Sequence, residues 1–204
     1  MADPLNHEEK RKLLELARQA LIRDICGEPI PPLDLTQLPA TLRQPGATFV
    51  TLTLRGELRG CVGTLEAYQS LAEDVCEHAL AAATQDYRFP PVSPHEVPEL
   101  EIEISRLTPP QPMEYKDGME LMERLRPHID GVILLDGIRR ATFLPQVWEK
   151  LPDPAEFLEH LCMKMGASAD LWRYKKMKVF TYQVEEFKEE ISGPGISGDQ
   201  PPAP

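Results

Sequence analysis

The sequence predicts an α+β fold: a mostly antiparallel sheet with helices packed on it. Three observations carry this. Strand-like runs arrive as hairpins, joined at Arg55-Gly56-Glu57 and at Asp136-Gly137. Glu99–Leu107 alternates acidic and apolar residues, the pattern of a half-buried antiparallel strand. Helical segments are interspersed among the hairpins and do not follow each strand in turn, as a doubly wound sheet would require.

The first element is a helix from Asn6 to Cys26. Asn6 is its cap, Glu9 completes a capping box, and Leu13, Leu14, Ala17, Ala20, Leu21 and Ile25 form one apolar stripe that Gly27 ends. Five prolines from Pro29 to Pro45 then exclude a regular helix or a central strand. Ala47–Leu54 pairs through the Arg55 turn with the strand carrying Cys61. Ser70 and Glu73 form a second capping box, opening a helix that runs to about Thr84. Prolines 90, 91, 94 and 98 stiffen the connection into Glu99–Leu107, whose carboxylate row reads as a charged solvent face. A short helix near Gly118–Leu125 precedes a hairpin of Gly131–Leu135 with Ile138–Leu144. Asp153 caps a helix with Pro154 at its first position, and Lys178–Phe187 is a final strand. Ser192–Pro204 has too little apolar content to order itself, so 192–204 is expected to be a disordered tail and 1–191 the folded domain.

Composition narrows the function. The 204 residues carry 22 Lys and Arg against 33 Asp and Glu, a net charge of −11, which repels phosphate backbones and argues against nucleic-acid binding. Arg173, Lys175, Lys176 and Lys178 around Trp172 and Tyr174 imitate a nucleic-acid stretch, but read as a solvated loop before the last strand. No apolar run approaches the length of a membrane span, and the acidic start is no secretory signal, so a cytoplasmic location is expected. Cys26, Cys61, Cys76 and Cys162 form no C-x-x-C pair and read as free thiols. No phosphate loop, nucleophile elbow or metal motif appears, so neither cofactor nor metal is expected.

The most informative stretch is Leu58-Arg59-Gly60-Cys61-Val62-Gly63-Thr64. Glycines flank a cysteine, and a guanidinium beside a thiol favours the thiolate. Gly60 and Gly63 are expected to adopt positive φ or to let a ligand approach. This stretch resembles the signature of the AMMECR family, whose prokaryotic members are called AmmeMemoRadiSam system protein A. Asp86-Tyr-Arg-Phe-Pro-Pro-Val92, Ala141-Thr-Phe-Leu-Pro-Gln-Val-Trp148 and Phe157-Leu-Glu-His-Leu-Cys-Met-Lys-Met-Gly166 are similar to further family segments in the same order. The likeness runs from about Glu9 to Phe187. It implies an α+β fold with a larger and a smaller subdomain. The system name implies a Memo-type protein and a radical SAM protein as partners. The chain itself lacks the C-x-x-x-C-x-x-C segment of a radical SAM enzyme.

If the four segments meet, Cys61 becomes a candidate nucleophile, with Arg59, Arg88, Arg140 and Lys164 as an anion clamp beside Gly60 and Gly63. A nucleophilic cysteine needs a base, and His95, in the Pro-rich loop, is the candidate. Two readings follow. The protein acts on or binds a small anionic substrate or peptide in a cleft around Cys61, or it is a non-catalytic adaptor for a Memo-type or radical SAM protein.

Overall fold

The structure is a computed structural model, and residues 4–189 are described. In chain order the elements are α1 (His7–Ile25), α2 (Ala40–Arg43), β1 (Pro45–Leu54), β2 (Glu57–Gly63), β3 (Gln69–Ser70), α3 (Leu71–Thr84), β4 (Leu100–Leu107), β5 (Gln111–Met113), α4 (Gly118–Arg124), β6 (Gly131–Asp136), β7 (Arg139–Phe143), α5 (Pro154–Lys164), α6 (Leu171–Tyr174), β8 (Lys178–Tyr182) and β9 (Val184–Lys188). All strand pairs are antiparallel. The fold is α+β. The expected tail, 192–204, lies outside the described residues.

Two sheets divide the strands. The first runs β2-β1-β4-β9, with β3 added to β1; the second runs β5-β8-β6-β7. Even-numbered residues of β1 and β4, among them Val50, Leu52, Ile102 and Ile104, pack under α1 and α3. That follows from period-two strands meeting amphipathic helices. The second sheet buries Val132, Leu134 and Val179 against α4, α5 and α6. There Trp148 stacks on Phe157 with centroids 3.7 Å apart and donates its indole N–H to Asp130 O at 2.7 Å. The opposite faces of the two sheets meet through Ala47, Leu107, Ile133 and Tyr182, with Phe49, Leu65 and Phe180 at the margin.

The caps form as the sequence dictates: Asn6 with Glu9, Ser70 with Glu73, and Asp153 on the amides of Ala155 and Glu156. Four expectations change. The second hairpin turns at Gly137-Ile138, one residue later than Asp136-Gly137, because Asp136 stays in the ladder opposite Arg139 and binds Arg139 and Lys175. Lys178–Phe187 is two strands, since Gln183 leaves both ladders and exchanges bonds with Thr108: its N–H reaches Thr108 Oγ1 at 2.8 Å and its C=O accepts from Thr108 N at 2.9 Å. Leu171–Tyr174 is the short helix α6 and not part of a loop, with Trp172 in the core and Tyr174 exposed. Glu101 and Glu103 are only partly exposed, because the second lobe reaches over that face, where Gln146 binds Glu186. Burial and the nearby Glu186 carboxylate hold the Glu103 carboxyl above its ordinary value.

A buried polar group ties α3 to β1. Thr48 Oγ1 donates to Asp74 Oδ2 at 2.6 Å, and His78 Nδ1 lies 3.2 Å from the same oxygen, off the line of a hydrogen bond. Burial opposes protonation of His78, but the Asp74 carboxylate and the charge of Glu77 outweigh it and raise its affinity for a proton. A raised imidazole contributes stability that is full below the unfolded value near 6.5 and is lost as pH rises through the folded value. Thr48→Val should cost about 2 kcal/mol in denaturant unfolding, by removing a donor to a buried carboxylate. The stability gap between wild type and His78→Gln should be larger at pH 5.5 than at pH 8.5; an equal gap would mean that His78 is held neutral.

Candidate functional site

Strand β2 is an edge of the first sheet, so every second residue turns its N–H and C=O away from β1. Cys61 is one of these: its N–H donates to Asp86 Oδ2 at 2.9 Å, and its C=O accepts from Arg88 Nη2 at 3.5 Å. Arg88 binds Asp86 through Nε at 2.9 Å and Nη2 at 2.6 Å. The guanidinium holds the Asp86 carboxyl far below the usual carboxylate range against the opposing effect of burial, and the Cys61 and Arg88 amides add to it. Asp86 opens the second family-like segment but was not among the site residues named from sequence. Its legible signal is the Asp-x-Arg spacing, an Asx turn in which Arg88 N returns to Asp86 Oδ1 at 3.2 Å.

The thiol of Cys61 faces the second lobe, on the same side of the sheet as Thr51, its cross-strand partner. Thr51 Oγ1, at 3.4 Å, is the sulfur's one hydrogen-bonding neighbour among the described residues. Arg59 does not serve the thiol. It sits at a bulge and binds Glu96 with Nε at 2.7 Å, and its other nitrogens reach Pro90 O and Pro91 O. Arg59 and then Ser93 lower the Glu96 carboxyl to about 2. His95 contacts Ser93 Oγ at 3.3 Å in the same loop. Arg59 therefore pins the Pro-rich connection to β2, whereas the His95 contact stays inside that loop. Tyr87, next to Arg88, is 95% exposed.

Neither glycine has the positive φ expected of it; both lie in strand β2, at positions where a side chain would not fit. A Cβ on Gly60 would stand 2.0 Å from Ala82 O of α3, and one on Gly63 would stand 2.3 Å from Thr48 O. Gly60 lets α3 lie directly on the sheet, and Gly63 keeps its side of β2 flat.

Gly63 opens on a cleft between the lobes. Phe49, Gly63, Thr64 and Glu66 line it from the first lobe, and Arg140, Thr142 and Lys164 from the second, around about 450 Å³. That lies within the roughly 300–1,000 Å³ of small-ligand clefts. Arg140 and Thr142 alternate on the face of β7 that meets the first sheet, opposite Leu135 and Ile133. Arg140 Nη1 binds Glu66 Oε1 at 2.5 Å, across the cleft. Lys164 Nζ, at the end of α5, donates to Thr142 O at 2.9 Å and stands 5.0 Å from the Phe143 ring. Behind Thr142, the Tyr182 hydroxyl is 3.1 Å from Thr142 Oγ1 and donates to Phe143 O at 3.2 Å, and burial pushes its pKa up to about 12.

Of the seven residues named from sequence besides His95, the cleft gathers Gly63, Arg140 and Lys164. Cys61 lies two residues along the same face of β2, with Arg88 on its edge; Gly60 points into the helical layer; Arg59 turns to the loop. Phe49, Glu66 and Thr142 went unrecognised, since nothing local marks a residue that a cleft borrows from a strand or a loop. The other cysteines are free: Cys162 is buried, Cys26 is exposed, and burial with the charge of Glu73 pushes the Cys76 thiol up to about 11.

Asp86→Asn should speed amide exchange at Cys61 several-fold at neutral pH, leaving exchange in the β1–β4 ladder unchanged, because a charge-assisted bond is weakened at the edge alone. Gly60→Ala should cost about 1–3 kcal/mol, as overpacking against backbone does; a melting temperature equal to wild type would show that α3 can retreat at no cost.

Comparison with known proteins bears on the whole chain. The AMMECR1 family profile matches residues 14–187. A protein of Methanothermobacter thermautotrophicus is 37% identical over 188 residues, 92% of this chain and 97% of that one. One of Thermofilum pendens is 37% identical over 202 residues, covering 91% of this chain and 92% of its own. The crystal structure of an uncharacterized protein from Pyrococcus horikoshii superposes with a TM-score of 0.78 at 34% identity, over 91% of this chain and 94% of that one. Order of segments, paired sheets and sequence agree: this chain belongs to the AMMECR1 family.

Proposed function

We propose that the protein is a binding component that takes a small anionic ligand or an acidic peptide segment in the cleft between β2 and β7. The observation that carries this is the convergence of Arg140 and Lys164, from two elements of one lobe, on the glycine-flattened strand of the other. In a chain of net charge −11, two cations at a concave site attract an anion that the rest of the surface repels. Arg140 offers a planar fork for a carboxylate or phosphate, and Lys164 a point charge. Binding is favoured over chemistry at Cys61, because Thr51 is the thiol's neighbour where a nucleophile needs a base. A Memo-type or radical SAM protein, the partners implied by the resemblance to AmmeMemoRadiSam system protein A, is then a source of such a segment or a recipient of the bound ligand. Among the described residues no helix is long and apolar enough to cross a membrane.

Glutarate and inorganic phosphate are suitable probes, titrated separately while amide resonances are followed by NMR. At least one should shift Gly63, Thr64, Arg140 and Thr142. Arg140→Met should weaken its binding about tenfold or more, as loss of a charge-assisted bond does, and raising NaCl from 50 to 300 mM should weaken it further. Cys61→Ser should leave the affinity unchanged. Shifts centred on Cys61 and Arg88, abolished by Arg88→Met, would move the site to the other end of β2; no shift with either probe would remove the anionic cleft.

A further inference from the structure

Among the described residues, the cleft lies beside a gap in how this protein protects its sheet edges. Exposed edges invite pairing with other chains, so folds usually cover them. On β2 the outward groups of Cys61 are covered, N–H by Asp86 and C=O by Arg88. On β7, Asp136 and Arg139 close a two-residue hairpin, so Arg140 and Thr142 turn their backbone groups outward. There Lys164 covers Thr142 O. Between these covers lies Gly63. It pairs with Phe49 two residues beyond the Thr51–Cys61 pair, so the same alternation turns its N–H and C=O outward, into the cleft that it lines. The amide of Thr64 points the other way and bonds Thr48 O at 3.0 Å, as the alternation requires.

Beside that backbone pair stands Glu66, three residues on. Its side chain is 69% exposed, yet it reaches across to Arg140, which is 40% exposed. An exposed pair of this kind contributes about 0–1 kcal/mol and is readily exchanged. Glu66 thus shows which chemistry the Arg140 fork accepts next to the Gly63 edge: a carboxylate carried on a polypeptide.

We infer that the ligand of this cleft is an extended acidic polypeptide segment that adds to β2 at Gly63 and places a carboxylate on Arg140, displacing Glu66. Backbone pairing supplies affinity, and the carboxylate fixes register, in the manner of strand addition at an open edge. Gly63 suits this because a side chain there would clash with Thr48 and Phe49 of β1, so the strand stays flat beside the incoming chain. Lys164 keeps β7 from pairing at Thr142 and attracts the segment's remaining charge. Glu66 acts as an internal competitor that keeps the edge from accepting chains that lack an acidic group. The inference rests on the anionic cleft proposed above and specifies its ligand.

The probe is a fluorescein-labelled, amidated hexapeptide of alternating Thr and Glu, which sets all carboxylates on one side when extended. Binding to the full chain is followed by anisotropy and by amide shifts. The peptide should bind with shifts at Gly63 and Arg140, and Glu66→Gln should bind it roughly threefold more tightly, since an exposed ion pair is removed. A copy methylated at every backbone nitrogen keeps the charges and loses the donors; it should bind about tenfold more weakly. The matching Thr-Lys peptide should not bind. Equal affinity for the methylated copy, weaker binding to Glu66→Gln, or no peptide binding at all would each overturn strand addition. If glutarate or phosphate still shifts the cleft in those cases, the anionic cleft stands and its ligand is a small molecule. If neither small anion nor peptide shifts it, both readings fall.

Discussion

The two lobes are joined where chain crosses from one sheet to the other at two adjacent places. β4 leaves the first sheet at Leu107 and resumes in the second as β5, while β8 leaves the second at Tyr182 and resumes in the first as β9. Thr108 and Gln183 sit side by side in these crossings and satisfy each other's backbone groups. Backbone polar groups at such a junction must find partners if it is not to be hydrated and loose. Because one residue separates β8 from β9, the second sheet cannot move far from the first. That short tether brings the inner faces together through Ala47, Leu107, Ile133 and Tyr182 and leaves a cleft at their margin.

Strand order then decides what the cleft can contain. β2 and β7 are both edge strands, and the cleft holds Gly63 and Thr64 at the end of one and Arg140–Thr142 of the other. Edge strands are where backbone hydrogen bonding remains to be satisfied, so this position couples two kinds of recognition, by main chain and by charge. The residues near Cys61 serve the same logic. Asp86 and Arg88 cover its backbone, and Arg59 ties the Pro-rich loop down through Glu96 and two proline carbonyls. The segment most conspicuous in sequence is thus a supported edge, and the cleft begins at its far end.

Gly60 and Gly63 act through space and not through dihedral freedom. At Gly60 the carbonyl of Ala82 occupies the volume of a Cβ, which sets how closely α3 lies on the sheet. The buried Thr48–Asp74–His78 group fixes the same helix from its other end. Together they make the first lobe a stiff platform for Gly63 and Phe49, whereas Arg140, Lys164 and Glu66 are exposed side chains able to rearrange on binding.

Much of the fold was legible because local rules act locally. A capping box needs three residues, a two-residue turn needs two, and an amphipathic stripe repeats along its own helix, so Asn6–Glu9, Ser70–Glu73, Asp153 and the stripes of α1 and α5 were evident without knowledge of any partner. The split of the last strand was not, since Lys178–Phe187 alternates throughout and only Thr108, distant in sequence, breaks it at Gln183. The candidate site divides in the same way. The sequence by itself determined that Cys61 stands between two glycines, that Arg140 directly precedes one family-like segment and that Lys164 lies within another. Tertiary structure alone decided that Arg59 faces Glu96, that Asp86 covers the edge, and that Glu66 meets Arg140. Each of these depends on which charge is nearest after folding, and electrostatic partners are chosen by distance in space, which no spacing along the chain encodes.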